Sequence, residues 1–286
     1  ACGIKSRNSD GLTMGYARLS AGRTSVIIDA GPPATGNASY NAHASTLAFE
    51  LTSGRRPLIV SCGSGAHLGP DWHRAGRATP SHSTLCLGGY SSARLGKPVK
   101  TSGLFREFLV EAPKIVPVEM SQTAEGVKFE GAHSGYVPPF GLTHARKLSL
   151  SLDGRSLVGE DLLIALNDTT GKAAETVLSE DIDPNVDFQI RFHLHPEVDA
   201  ALDLGGTTVA IAAKSGEIWI FRHESSLFLT IEPGVYLEKN QPTPRASRQI
   251  VLSGMVNDAL TRAQWSLSKT QDTAMAIRDL RLEELR

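Results

Sequence analysis

The sequence predicts an all-β fold: a large, multi-stranded antiparallel β-sandwich of stacked sheets. Three observations point to it. Short runs alternate apolar and polar residues with period two. The runs recur at about 8–12-residue spacing, with turn residues between them, which is the pattern of stacked sheets. Almost no stretch shows a helical period.

The elements follow in chain order. Val26-Ile27-Ile28 is an apolar run stopped by Asp29-Ala30-Gly31-Pro32-Pro33. Thr46-Leu47-Ala48-Phe49-Glu50-Leu51 alternates, turns at Thr52-Ser53-Gly54-Arg55-Arg56, and continues as Pro57-Leu58-Ile59-Val60, a hairpin pattern. Lys147 to Leu152 alternates strictly and closes on Asp153-Gly154, a strong hairpin signal. Asp187 to His195 and Thr208 to Ala212 alternate again, and Ser215-Gly216 leads into Glu217 to Phe221. The exception is Ala274 to Arg286, where Met275, Ile277, Leu280, Leu282 and Leu285 sit among charges. That stretch reads as a short terminal helix or a frayed tail. With no repeat, low-complexity tract or linker, residues 1–286 are expected to form one domain. Its core spans about 15–270, with 271–286 as the tail.

Composition sets the outer limits. The chain has 286 residues, 41% hydrophobic and 21% charged, enough to bury a sizeable core. A net charge of -1 argues against nucleic acid as a partner, so any hold on an anionic polymer needs a local basic patch. No apolar run approaches the roughly 18 residues of a membrane span. Ala1 to Leu12 is polar and carries no apolar signal core. Three cysteines, Cys2, Cys62 and Cys86, do not make a disulfide framework. Cys62 and Cys86 read as two half-buried free thiols, or as neighbours close enough to pair.

The stretch from Asn41 to Gly89 is the most informative. Asn41-Ala42-His43-Ala44-Ser45-Thr46-Leu47-Ala48-Phe49-Glu50 is followed by Leu58-Ile59-Val60-Ser61-Cys62-Gly63, then by Pro80-Ser81-His82-Ser83-Thr84. This resembles the heparinase II/III-like family of polysaccharide lyases. The family pattern is His-Gly-His-Ala-Asp-x-Leu-x-Phe-Glu, then a strand ending in Asp-Pro-Gly, then Ala-His-Asn-Thr. Gly131-Ala132-His133-Ser134-Gly135-Tyr136, Leu142-Thr143-His144-Ala145-Arg146-Lys147 and Phe192-His193-Leu194-His195-Pro196 extend the likeness from about Tyr16 to Trp265.

The resemblance implies that this is the C-terminal sandwich of a two-domain lyase, with an N-terminal α/α toroid, absent from this chain, as its partner. It implies β-elimination on uronate-containing acidic polysaccharide. A base removes the C5 proton, the carboxylate is neutralised and the 4-linked sugar departs. In the family the toroid supplies a Tyr and a His or Asn, the sandwich the first His of His-x-His, and some members bind zinc. It also suggests export to the periplasm. Position by position, Asn41 stands at the catalytic His, and an amide is no acid at neutral pH. His43 and His82 match metal ligands. Ser61 replaces the Asp ligand, and Ser45 the Asp after His-Ala.

Read on their own chemistry, His43 and His82 either hold strands together through hydrogen bonds or bind zinc, with the Cys62 thiolate as third donor. The second option needs a bulge, because Cys62 points away from Ser61's face if the strand continues. Asn41, His43 and Ser45 share one face of a strand, a polar row at a cleft mouth or a fraying strand end. The loop carrying Trp72, His73, Arg74 and Arg77 offers stacking and bidentate anion contacts, or is simply a solvated basic loop. His193 and His195, two positions apart, share a strand face and either bind metal or, as expected here, play a structural role. His133, Tyr136 and His144 line the same surface, with Tyr136 a proton-transfer group only if its pKa falls. Three functions remain open: half of a lyase cleft, inactive alone; a non-catalytic module binding acidic carbohydrate; or a scaffold for the helical domain.

Overall fold

In a computed structural model, the structure describes residues 12–101, 103–165, 186–224, 226–256 and 260–271. The expected terminal helix or tail, 271–286, lies almost wholly outside them. Among the described residues, two large antiparallel sheets dominate. The first has nine strands in the order Leu12–Thr13, Tyr16–Ala21, Thr24–Asp29, Phe49–Ser53, Arg56–Val60, Val186–Leu194, Arg245–Val256 and Phe228–Tyr236, with Leu85–Leu87 also pairing to Val186–Leu194. The second has eight, in the order Val118–Gln122, Gly126–His133, Thr143–Ser151, Ser156–Ile164, Leu260–Gln271, Ile218–His223, Thr208–Ala213 and Val198–Asp203. The expected sandwich of stacked sheets is what forms. No helix among the described residues is long and apolar enough to cross a membrane.

The hairpins fall where turn chemistry places them. Thr143–Ser151 and Ser156–Ile164 are joined through Asp153-Gly154, with Gly154 at φ 69°. Phe49–Ser53 and Arg56–Val60 are joined through Gly54 at φ 64°. One boundary differs: the strand expected from Thr46 begins at Phe49. Thr46 and Leu47 form a turn, and Leu47 takes φ 64°, which no strand accommodates.

The sheets are joined by interleaved aromatics. Phe49 of the first sheet stacks on Trp265 of the second, with ring centroids 5.5 Å apart and planes 8° from parallel. Phe192 meets Trp265 and Phe221 edge-on, each at 4.8 Å. These rings are almost fully buried and anchor the apolar core. The core also holds a charge. Asp161 accepts hydrogen bonds from Arg146 Nε at 2.8 Å and Trp265 Nε1 at 3.0 Å, and pairs with His144 Nε2 at 2.7 Å. Arg146 Nη1 reaches across to the carbonyls of Leu47 and Ser83, at 2.8 and 2.9 Å. This buried cation therefore ties the second sheet to the turn before Phe49.

Candidate functional site

Pairing of Thr24–Asp29 with Phe49–Ser53 ends at Ile28 opposite Phe49, so both strands leave the sheet at one point. There Asp29 N–H donates to Ala48 O at 2.9 Å, and Leu47 N–H donates to Asp29 O at 2.8 Å. The chain between them runs as a short 3₁₀ helix, Gly36–Asn41, and then irregular backbone to Ala48. Asn41, His43 and Ser45 therefore share no strand face. The expectation fails because the backbone bends into the Leu47 turn before the ladder starts.

What holds this segment is Arg77, at the end of the helix Pro70–Arg77. Its guanidinium donates to the carbonyls of Ala42 at 2.8 Å, Ser39 at 2.6 Å and Glu107 at 2.9 Å. Arg77 is 1% exposed, which corrects its assignment to the sugar-binding surface: all its donors serve backbone. The expected basic loop is thus largely this helix. His73 is buried, with its ring edge-on to Tyr40 at 5.0 Å. Trp72 is half-buried, and Arg74, on the surface, is engaged by Glu107 at 2.5 Å.

His43 and His82 do meet. His43 Nδ1 lies 3.2 Å from His82 Nε2, with the rings edge-on. Burial pushes the His43 pKa down to about 4, aided by the charges of Arg77 and His73. Burial also holds His82 well below the usual histidine range. Both rings are neutral at pH 7, so one nitrogen donates and the other accepts. The pair lines a groove of about 620 Å³ together with Tyr16, Asp29, Asn41, Ser45, Glu50 and Ser61.

The carboxylates of this groove are residues the sequence did not single out. Ser45 Oγ donates to Asp29 Oδ2 at 2.5 Å, and Ser61 N–H donates to Glu50 Oε1 at 3.0 Å. Burial raises the Asp29 pKa, against the Ser45 hydrogen bond. Burial, then the charges of Asp29 and Glu50, raises that of Tyr16. The Asp29 turn was visible, but nothing in it signalled proximity to His43. Among the described residues, no Lys or Arg lines the groove.

The donors fall short of a zinc centre. Zinc takes three or four N, S or carboxylate ligands. Only two imidazoles converge, and among the described residues no group of three or more His, Cys, Asp or Glu is placed to hold a metal. Cys62 is not the third. Its Sγ faces His193 Nδ1 at 3.4 Å, while His193 Nε2 donates to Pro80 O at 2.8 Å. Burial lifts the Cys62 thiol to about 11, so it stays protonated. Cys62 and Cys86 are both free.

The other candidate residues lie inside the molecule. Tyr136 is fully buried and its hydroxyl donates to Leu85 O at 2.8 Å. Burial raises its pKa well above the usual value, which corrects its assignment as substrate-binding or proton-transferring. His133 and His144 meet at 3.2 Å and belong to the Asp161 network. His193 is buried at the Cys62 contact, as a structural residue, and His195 lies against Tyr236, with ring centroids 5.2 Å apart.

Comparison with known proteins places this geometry. FtsZ-localized protein C of Caulobacter vibrioides is 30% identical over 263 residues, covering 90% of this chain and 42% of that protein. The chain thus spans less than half of that relative's length. Among solved structures, the heparan sulfate lyase HepC from Pedobacter heparinus superposes with a TM-score of 0.63 at 14% identity, over 90% of this chain and 35% of that one. A heparinase III superposes with a TM-score of 0.65 at 14% identity, over 93% and 36%. At such identity these likenesses concern the fold alone. The model of the heparinase II/III-like C-terminal domain matches residues 4–270, and the chain belongs to that polysaccharide lyase family.

Proposed function

We propose that this domain is a non-catalytic member of its family, a ligand-binding and scaffolding sandwich within a longer protein. The observation that carries this is the groove at His43 and His82. Asn41 stands there at the family's catalytic His position, in a groove that Asp29 and Glu50 also line, with no lysine or arginine among the described lining residues. An amide cannot relay a proton at neutral pH. Two carboxylates also oppose the entry of a uronate, since like charges close together repel. The basic surface expected to hold an anionic sugar is engaged elsewhere: Arg77 on backbone carbonyls, Arg74 on Glu107. The name of the Caulobacter relative, as a protein localised with FtsZ, supports a scaffold more than a degradative enzyme.

The test uses the intact protein that contains this domain. Incubated with heparan sulfate or alginate, it is expected to release no unsaturated uronate, followed by ultraviolet absorbance. Release at an enzyme-like rate would sink the reading.

One observation favours a second reading. His43 and His82 stand at the family's ligand positions, 3.2 Å apart. On that reading a toroid elsewhere in the protein completes a β-eliminating site for acidic polysaccharide. Unsaturated product together with near-stoichiometric zinc is the result it requires.

A further inference from the structure

We infer that the groove binds an uncharged glycan, with sugar faces stacked on Tyr16 and Tyr236 and sugar hydroxyls donating to the carboxylates between them. This rests on the non-catalytic reading above and names the ligand class of the same site.

The groove does not end at Glu50. A second depression of about 460 Å³ shares Glu50, Ser61, Gly63 and Ser64 with it and runs on to Tyr236. The two make one trough, with Glu50 in the shared middle and a tyrosine in each half. Tyr16 is 51% exposed, and Tyr236 is half-buried. A tyrosine along a trough presents a rigid apolar face at low entropic cost, which suits the C–H faces of pyranose rings; Tyr236 offers what its edge-on contact with His195, ring centroids 5.2 Å apart, leaves open. Carboxylate oxygens accept hydrogen bonds, so Asp29 and Glu50 suit a ligand rich in donors. Sugar hydroxyls are such donors, and a carboxylate-hydroxyl bond is charge-assisted.

Charge selects among glycans. Among the described residues the lining around Asp29 and Glu50 holds no lysine or arginine, and beyond them Glu238 is matched by Arg245 at 2.6 Å. Among the described residues, Lys239 is the one lysine or arginine of the second depression. A sulfated or uronate-bearing chain would set its charges against Asp29 and Glu50, whereas an uncharged chain meets no such penalty.

The test is isothermal titration of the intact protein with three probes: cellohexaose, the N-acetylglucosamine hexamer and a heparin hexasaccharide. At least one neutral hexamer is expected to bind, and the heparin fragment to give no saturable heat. Tyr16→Ala and Tyr236→Ala are each expected to weaken binding about tenfold. Tyr16→Phe, which keeps the face, should stay within about twofold of the parent. Glu50→Ala, a surface change, gives an independent loss if an alanine variant at tyrosine folds poorly. Binding of heparin without product overturns this inference alone, while release of unsaturated uronate overturns the non-catalytic reading. No heat from either neutral hexamer, or binding indifferent to Tyr16, Tyr236 and Glu50, also overturns the inference.

Discussion

Asp161 shows how one residue can carry a large share of the architecture. Its carboxylate is fully buried, yet Arg146, His144 and Trp265 satisfy it. Burial alone would raise its pKa, but the Arg146 charge and the His144 hydrogen bond outweigh that and hold it below the carboxylate range. With the folded pKa depressed, the pair stabilises above the unfolded carboxylate pKa, and this is lost as pH falls through the folded value. Arg146→Ala strands the carboxylate and the carbonyls of Leu47 and Ser83. A loss of about 3–5 kcal/mol in urea unfolding is expected. Nearby, a Cβ on Gly159 would lie 2.1 Å from Trp265 Cζ2. Gly159→Ala is expected to cost about 1–3 kcal/mol, because the Trp265 ring is locked against Phe49. An unchanged melting temperature would show that the ring can move aside. At the groove, the two-imidazole donor set predicts zinc far below one equivalent by elemental analysis. Stoichiometric metal that vanishes in His43→Ala would reverse that assignment.

Among the elements, the helix Pro70–Arg77 matters most to the site, through its last residue. Arg77 closes the segment from Ser39 to Ala42 against Glu107, and so positions His43 without facing the groove. Arg77→Lys keeps the charge but not the fork of donors. It is expected to cost about 1.5–3 kcal/mol, in the range of one hydrogen bond to a charged group. It should also weaken glycan binding, while Arg74→Lys, a change on the exposed side of the same helix, should not. The strands were legible because turn chemistry punctuates them: Gly54 and Asp153-Gly154 sit where the hairpins close. The helix was read as a loop because its eight residues, with Pro70 and Gly76 among them, hold too few apolar side chains for an apolar pattern to register.

At the scale of the whole molecule, neutral histidines dominate the response to acid. His43 and His193 are each brought down to about 4 by burial. His82, His133 and His144 are also lowered, first by burial. Below the ordinary histidine pKa of about 6.5, the unfolded chain takes up protons that the folded chain refuses. Stability is therefore expected to fall as pH drops from about 6.5 towards 4, by up to about 1.4 kcal/mol per pH unit for each such histidine. Urea midpoints at pH 7.5 and pH 5 check this. A flat profile between them would mean the rings are charged inside or open to water.

The sequence by itself determined the fold class, the hairpins and the family, because alternation and turn residues act over a few positions and the motifs lie in order along the chain. It also brought forward the pair His43 and His82, which the structure joins at 3.2 Å. Tertiary structure alone decided what surrounds that pair. Tyr136 and Arg77 look like surface chemistry in a polar, turn-rich stretch, yet one fills the core and the other ties backbone. Cys62 answers to His193, 131 positions away, and not to His82. Asp29 and Glu50 become groove residues only because two strands leave the sheet at the same point. Burial and long-range pairing set these outcomes, and neither is a property of local spacing.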